Sequence, residues 1–180
     1  VRDTRDRFRL DGRVALVTGA SSGLGARIAA VLHTAGAGLV LIARREDRLR
    51  ELADELGPGV VATAGDIRDP VVRAAAVDLA AAAGGLDILV NNAGSCDRGA
   101  LQDQSLADIS DVIDLNLLAA IDLCRLAAPL LFAGTGSTVI NVASIYGLIG
   151  SRAPMAAYNA SKGGLVNFTR HLAAQWGACG

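Results

Sequence analysis

Short apolar runs alternate along this chain with longer stretches in which apolar residues recur every three or four positions. The runs occupy residues 14–17, 39–42, 60–63, 86–90 and 138–142. The first, Val14-Ala15-Leu16-Val17, is wholly apolar without a polar–apolar alternation, which suits a strand buried on both faces of a sheet. The intervening stretches carry the helical period. In 26–35, Ile28, Ala29 and Leu32 share a face; in 46–56, Leu49, Leu52, Ala53 and Leu56 do, and Gly57-Pro58-Gly59 ends the pattern. Residues 70–83 are alanine-rich. A long pattern over 105–131 places Ile109, Val112, Ile113, Leu117, Ala120 and Leu123 on its core side, and a last helix runs over 156–176. Strand and helix in regular alternation predict an α/β protein, a Rossmann-like doubly wound parallel sheet flanked by helices. Residues 1–12, rich in Arg and Asp, read as an irregular solvated arm, and 13–180 as a single domain.

Composition narrows the function classes. With 180 residues and 52% hydrophobic content the chain can bury a substantial core. A net charge of −1 and 3% aromatic residues argue against nucleic acid, and no apolar run reaches the ~20 residues of a membrane span. No secretory signal is visible, and Cys96, Cys124 and Cys179 lack metal-ligand spacing, so a cytoplasmic setting with reduced thiols and no metal is expected. His33 and His171 have no partner pattern and read as ordinary helix residues.

The chemistry-bearing residues sit where strands end. Thr18-Gly19-Ala20-Ser21-Ser22-Gly23-Leu24-Gly25 joins the first strand to the first helix. Glycines there let the backbone approach a pyrophosphate, and a helix N-terminus offers free N–H groups. The second strand ends Ala43-Arg44-Arg45: Ala43 stands where an acid would favour NAD, and Arg44 follows it directly. A 2′-phosphate would meet no carboxylate, so NADP is expected over NAD. Tyr158 and Lys162 are one helical turn apart, and a nearby ammonium favours the phenolate. Lys162 is the one lysine among 17 basic residues. Either the composition simply favours arginine, or this site needs an ammonium on a flexible stem, which a guanidinium cannot replace.

The glycine spacing, Asn91-Asn92-Ala93-Gly94 after the fourth strand, and Tyr158-x-x-x-Lys162 together resemble the short-chain dehydrogenase/reductase family. The resemblance runs from about Arg13 to Trp176. It implies a catalytic tetrad of Asn116, Ser144, Tyr158 and Lys162, with Ser144 fourteen residues before Tyr158. It further implies a helix distortion at Asn116 that holds a water in a proton relay. Implied cofactor-binding residues are Gly19, Ser21, Ser22, Gly23, Leu24, Arg44, Arg45, Asp66, Ile67, Asn92, Ala93 and Gly94, together with Tyr158 and Lys162. Asp66 would contact the adenine ring. Tyr146 and residues 95–104 and 147–153 would wall a substrate pocket. The implied activity is NAD(P)-dependent hydride transfer between nicotinamide and a carbonyl or secondary alcohol, on a 3-oxoacyl thioester, a sugar or a small ketone. The alternative is a non-catalytic nucleotide-binding protein on the same fold. Family members pair through the helices carrying Asn116 and Tyr158, so a homo-oligomer, dimer or tetramer, is expected. They also continue with further strands and a substrate-binding segment after this last helix, so the sheet is expected to lack its C-terminal strands.

Overall fold

The computed structural model describes residues 8–178. Five strands form one all-parallel sheet: β1 (Val14–Thr18), β2 (Gly38–Ala43), β3 (Val60–Ala64), β4 (Ile88–Asn91) and β5 (Thr138–Asn141), in the order β3-β2-β1-β4-β5. β1 pairs in register with both neighbours, Ala15 opposite Leu39 on one side and Ile88 on the other. All five residues of β1 and all four of β4 are buried, which is why these runs lack alternation.

Helices cover both faces. On one, Ala15, Val17, Leu39, Leu41 and Val90 pack with Ala29 of α1 (Gly23–Thr34) and Leu49 of α2 (Glu46–Leu56). On the other, Leu16, Val40, Ile42 and Leu89 meet α3 (Pro70–Ala82), α5 (Ala119–Ala133) and α6 (Ala156–Trp176) through Ala76, Leu123, Ala127 and Leu172. Opposite residues of one strand thus feed two cores, the signature of a doubly wound sheet.

The long helical pattern is interrupted. α4 (Leu106–Ile113) opens on a capping box between Ser105 and Asp108, passes into one π-helical turn over Asp114–Leu118, and resumes as α5. The continuous stretch Leu106–Ala133 has a most-apolar window with mean hydropathy 1.7, enough by length and composition to cross a bilayer. This corrects the expectation that no stretch qualifies. Here it packs on the sheet and on α3 and α6 as a core helix, burying Asn116, Ala119, Leu123 and Ala127.

Of the predicted arm, residues 1–7 lie outside the described residues, as do Cys179 and Gly180. Residues 8–12 are less free than expected. The Leu10 amide donates to the Ala35 carbonyl at 2.7 Å, and Leu10 packs on the α1–α2 core. β5 is an edge strand, with Ile140 41% exposed, and a cleft of about 280 Å³ lies between it and α6, lined by Val139, Leu172 and Trp176.

Candidate active site

The sheet reverses direction of winding between β1 and β4, and a cleft of about 540 Å³ opens there, above the strands' C-terminal ends. Its walls follow the strand order. Asp66 and Ile67 come after β3, Arg44 and Arg45 after β2, Gly19 to Gly25 after β1, and Asn92 to Gly94 after β4.

The glycine turn is held from within. Thr18 Oγ1 accepts from the Asn92 and Ala93 amides, both at 3.0 Å, and the Asn92 side chain donates to the Thr18 and Gly19 carbonyls at 2.9 and 3.3 Å. Gly19 has a φ of +67°, and a Cβ on it would lie 2.9 Å from the Ala93 Cα. A Cβ on Gly25 would lie 2.3 Å from the Gly19 carbonyl oxygen. These contacts let α1 and β4 close on the turn only if both positions carry no side chain. The N-terminus of α1 is left open. Asp69 caps α3 and Ser105 caps α4, but Ser22 makes no side-chain cap, and no acid stands in the first turn of α1. Its orphan N–H groups and partial positive charge therefore remain available to an anion.

The two arginines after β2 divide. Arg45 turns onto the glycine loop, with Nε and Nη2 donating to Ser21 Oγ at 3.2 and 3.0 Å and Nη2 also to Ser22 Oγ. Arg44 lies on the Asp66 side, and its charge contributes to holding that carboxyl low. The larger influence is direct hydrogen bonding from Arg68, which together with Arg44 places the Asp66 pKa below the ordinary carboxylate value.

Beyond β4 and β5 a second group of residues converges. Asn116, in the π turn, is 1% exposed. Its Oδ1 accepts from the Ser95 amide at 2.8 Å, and its Nδ2 donates to the Ser95 carbonyl at 2.8 Å and to Ser161 Oγ at 3.0 Å. Ser161 in turn donates to the Tyr158 carbonyl at 2.7 Å. Lys162 is buried; its Nζ donates to the Val142 carbonyl at 2.7 Å and lies 5.9 Å from the centre of the Tyr158 ring. Ser144 sits in the loop between two anchors on Lys162: Val142, which receives the ammonium, and Gly147, where a Cβ would be 2.6 Å from the Lys162 carbonyl oxygen. The Ser144 Oγ accepts from the Tyr146 amide at 3.2 Å. Gly94 joins the two groups, since a Cβ there would be 3.0 Å from Asn116 Oδ1 and 3.6 Å from Lys162 Nζ.

Residues 13–180 match the family described as short chain dehydrogenase. The chain belongs to that family. It is 37% identical over 177 residues to a D-threitol dehydrogenase of Mycolicibacterium smegmatis, covering 96% of this chain and 68% of the relative. Among solved structures it superimposes with a TM-score of 0.93 on a dehydrogenase/reductase from Sinorhizobium meliloti, at 32% identity over 98% of this chain and 71% of that one. It superimposes with a TM-score of 0.88 on a gluconate 5-dehydrogenase from Burkholderia cenocepacia in complex with NADP and tartrate, at 33% identity over 99% and 71%. The chain thus spans about two thirds of the length of such relatives.

A short-chain dehydrogenase cofactor fits the cleft. The open α1 N-terminus suits a pyrophosphate, and the absence of side chains at Gly19 and Gly25 lets α1 and β4 pack on the turn that presents it. Of the expected cofactor residues, Gly19, Ser21, Ser22, Leu24, Arg44, Arg45, Asp66, Ile67, Asn92, Ala93 and Gly94 line this cleft. Gly23 opens α1 without lining it, and Tyr158 and Lys162 lie beyond Gly94. Sequence reasoning missed Leu115, which lines the cleft from the π turn, and Ser161, which ties Asn116 to the Tyr158 backbone. The signal for Ser161 was present: it lies three residues after Tyr158, on the same helical face.

Burial of Lys162 lowers its pKa from the ordinary lysine value of 10.5. Below the folded-state value the ammonium is charged in both states, and the folded protein bears the whole desolvation cost. As pH climbs through that value toward 10.5, the unfolded chain holds more protons than the folded one, so stability gains with pH. We expect the melting temperature of the wild type, relative to Lys162→Met, to rise as pH is raised toward 10.5. Scanning calorimetry of both proteins checks this; an unchanged difference would contradict a buried ammonium.

Proposed function

We propose that this chain is an NADP-dependent oxidoreductase that interconverts a carbonyl and a secondary alcohol. The observation that carries the reading is the convergence of Tyr158, Lys162, Asn116 and the Ser144 loop beside Gly94, at the end of a cleft suited to a dinucleotide. Bound NADPH supplies the hydride to the substrate carbon. Tyr158 gives its proton to the carbonyl oxygen, and Lys162 offsets the charge left on the phenolate. The Ser144 hydroxyl donates to the same oxygen as negative charge develops there. Asn116 fixes the π turn against Ser95 and Ser161, which positions a backbone carbonyl freed by the irregular turn to hold the water that returns the proton. In the opposite direction the same groups remove a proton from an alcohol.

The preference for NADP rests on Arg45, Ser21 and Ser22, which offer a guanidinium and two hydroxyls to a phosphate with no carboxylate among them. Arg44 adds charge on the Asp66 side. The NADP-bound gluconate 5-dehydrogenase supports this reading. Titration with NADPH and NADH tests it. NADPH should bind at least about tenfold more tightly, and Arg45→Ala should remove most of that preference while changing NADH affinity by only about twofold. Tighter binding of NADH by the wild type would overturn the assignment.

Similarity to a threitol dehydrogenase and a gluconate dehydrogenase supports a small polyhydroxylated substrate over a thioester. The exposed Leu106, Leu118 and Phe132 on α4, the π turn and α5 support pairing of copies into a homo-oligomer. The free thiols Cys96 and Cys124 suit a reducing, cytoplasmic setting.

A further inference from the structure

Asp66 is held by its second neighbour along the chain, Arg68. Three donors reach the carboxylate. The Arg68 amide donates to Oδ1 at 3.0 Å, Nε is shared between Oδ1 and Oδ2 at 3.2 and 3.1 Å, and Nη2 donates to Oδ2 at 2.7 Å. A carboxylate offers about four lone-pair sites. Arg68 therefore occupies about three and leaves one.

Arg68 is itself fixed. Its Nη1 pairs with Asp111 on α4 at 3.0 Å, one helical turn before Leu115. The backbone around it is fixed too. Arg73 Nη1 donates to the Ile67 and Arg68 carbonyls at 2.8 and 2.7 Å, and Arg73 Nε to Asp122 of α5 at 2.6 Å. The loop carrying Asp66 is thus bolted to the helix on both sides of the π turn.

This loop forms the β3 end of the cleft. There Ile67 and Leu115 supply apolar surface, and Asp66 supplies an acceptor with no donor. An apolar slot with an acceptor-only edge suits a flat base that presents an amino group and disfavours one that presents a carbonyl oxygen at the same place.

We propose that Arg68 is a positioning residue for base recognition: it orients the Asp66 carboxylate so that its remaining lone pair accepts from the exocyclic amine of the cofactor's adenine. The inference rests on the dinucleotide reading of the cleft and adds a specificity device that the catalytic residues do not contain. Without Arg68 the carboxylate is free to rotate and to hydrate, and the amine loses a directed partner while the slot remains.

The test is a fluorescence titration comparing NADPH with its reduced hypoxanthine analogue, which carries a carbonyl oxygen in place of the amine. Wild type should bind NADPH about tenfold more tightly than the analogue. Arg68→Met should bring that ratio to within about threefold, with Arg68→Lys between the two because it keeps the charge but not the fork. Asp66→Asn should also collapse the ratio. If Asp66→Asn collapses it and Arg68→Met does not, the role of Arg68 is wrong. If neither changes it, the assignment of this pocket to the base is wrong, whether or not NADPH binds. Should Arg68→Met fail to fold, Arg68→Lys and Asp111→Asn carry the same comparison, and an unchanged ratio in both overturns the proposal.

Discussion

Tyr158→Phe should lower turnover by about 10³-fold while leaving NADPH affinity within about fivefold. The substitution removes one oxygen from a ring that stays where Ala157, Ser161 and Lys162 hold the helix. The Tyr158 backbone carbonyl still accepts from Ser161, so the Asn116–Ser161 network survives. What disappears is the proton donor, and positioned proton transfer contributes about 10²–10⁴-fold to such reactions. Steady-state rates with intrinsic-fluorescence titration of NADPH separate the two effects. A variant that binds NADPH as well as wild type and turns over at a comparable rate would remove Tyr158 from the mechanism. Ser144→Ala should be milder, because it removes a stabilising donor and leaves the proton source in place.

Gly25→Ala should abolish nucleotide binding and destabilise the fold by about 3 kcal/mol, although one methyl group is all that is added. The new Cβ would meet the Gly19 carbonyl oxygen at 2.3 Å and the Asn92 side-chain nitrogen at 2.5 Å. The Gly19 carbonyl is backbone in a turn pinned by Thr18 and Asn92 and cannot move aside without breaking those bonds. The turn and the α1 N-terminus would separate, and the pyrophosphate site would be lost with them. Gly23 offers a contrast. Its φ is positive, +57°, but a Cβ there meets nothing within 4 Å, so Gly23→Asn should retain binding. Denaturant melts and NADPH titrations of the two variants distinguish a crowded glycine from one that needs only its backbone angle. Equal behaviour of both would contradict the packing described for the turn.

The centre of the sheet was legible because β1, β2 and β4 are buried on both faces. Val14 to Val17 and Leu39 to Ile42 have no choice of environment, and continuous apolar runs report that directly. The last helix was readable to both of its ends, Ala156 and Trp176. The π turn was legible only through resemblance. Five residues at a slightly longer period cannot be told from α-helix by apolar spacing, and what marks the place is a single buried amide, Asn116. The division of labour between Arg44 and Arg45 was not legible at all. Neighbouring residues leaving a strand point to different sides, and only the position of Ser21, 24 residues earlier, decides which guanidinium joins the glycine loop. The Arg68 and Arg73 brackets were hidden for a similar reason, since their partners Asp111 and Asp122 lie far along the chain.

These features share one mechanical plan. The elements that bear chemistry are short loops, and each is tied by side-chain hydrogen bonds to a rigid neighbour: the glycine turn to β4 by Asn92, the Ser144 loop to α6 by Lys162, and the Asp66 loop to α4 and α5 by Arg68 and Arg73. Sites held in this way keep their geometry before ligand arrives, which is what electrostatic stabilisation of a developing alkoxide requires.

The most direct test of the central claim follows a deuterium label. The purified full chain is mixed with NADPH carrying deuterium at both nicotinamide C4 positions and with a panel of small hydroxyketones and keto sugar acids, and the products are read by mass spectrometry. The account predicts one deuterium on the new carbinol carbon of at least one panel member, formed in step with loss of NADPH absorbance and absent with Tyr158→Phe. NADPH binding without label transfer to any panel member would contradict catalysis and leave a nucleotide-binding protein on this fold.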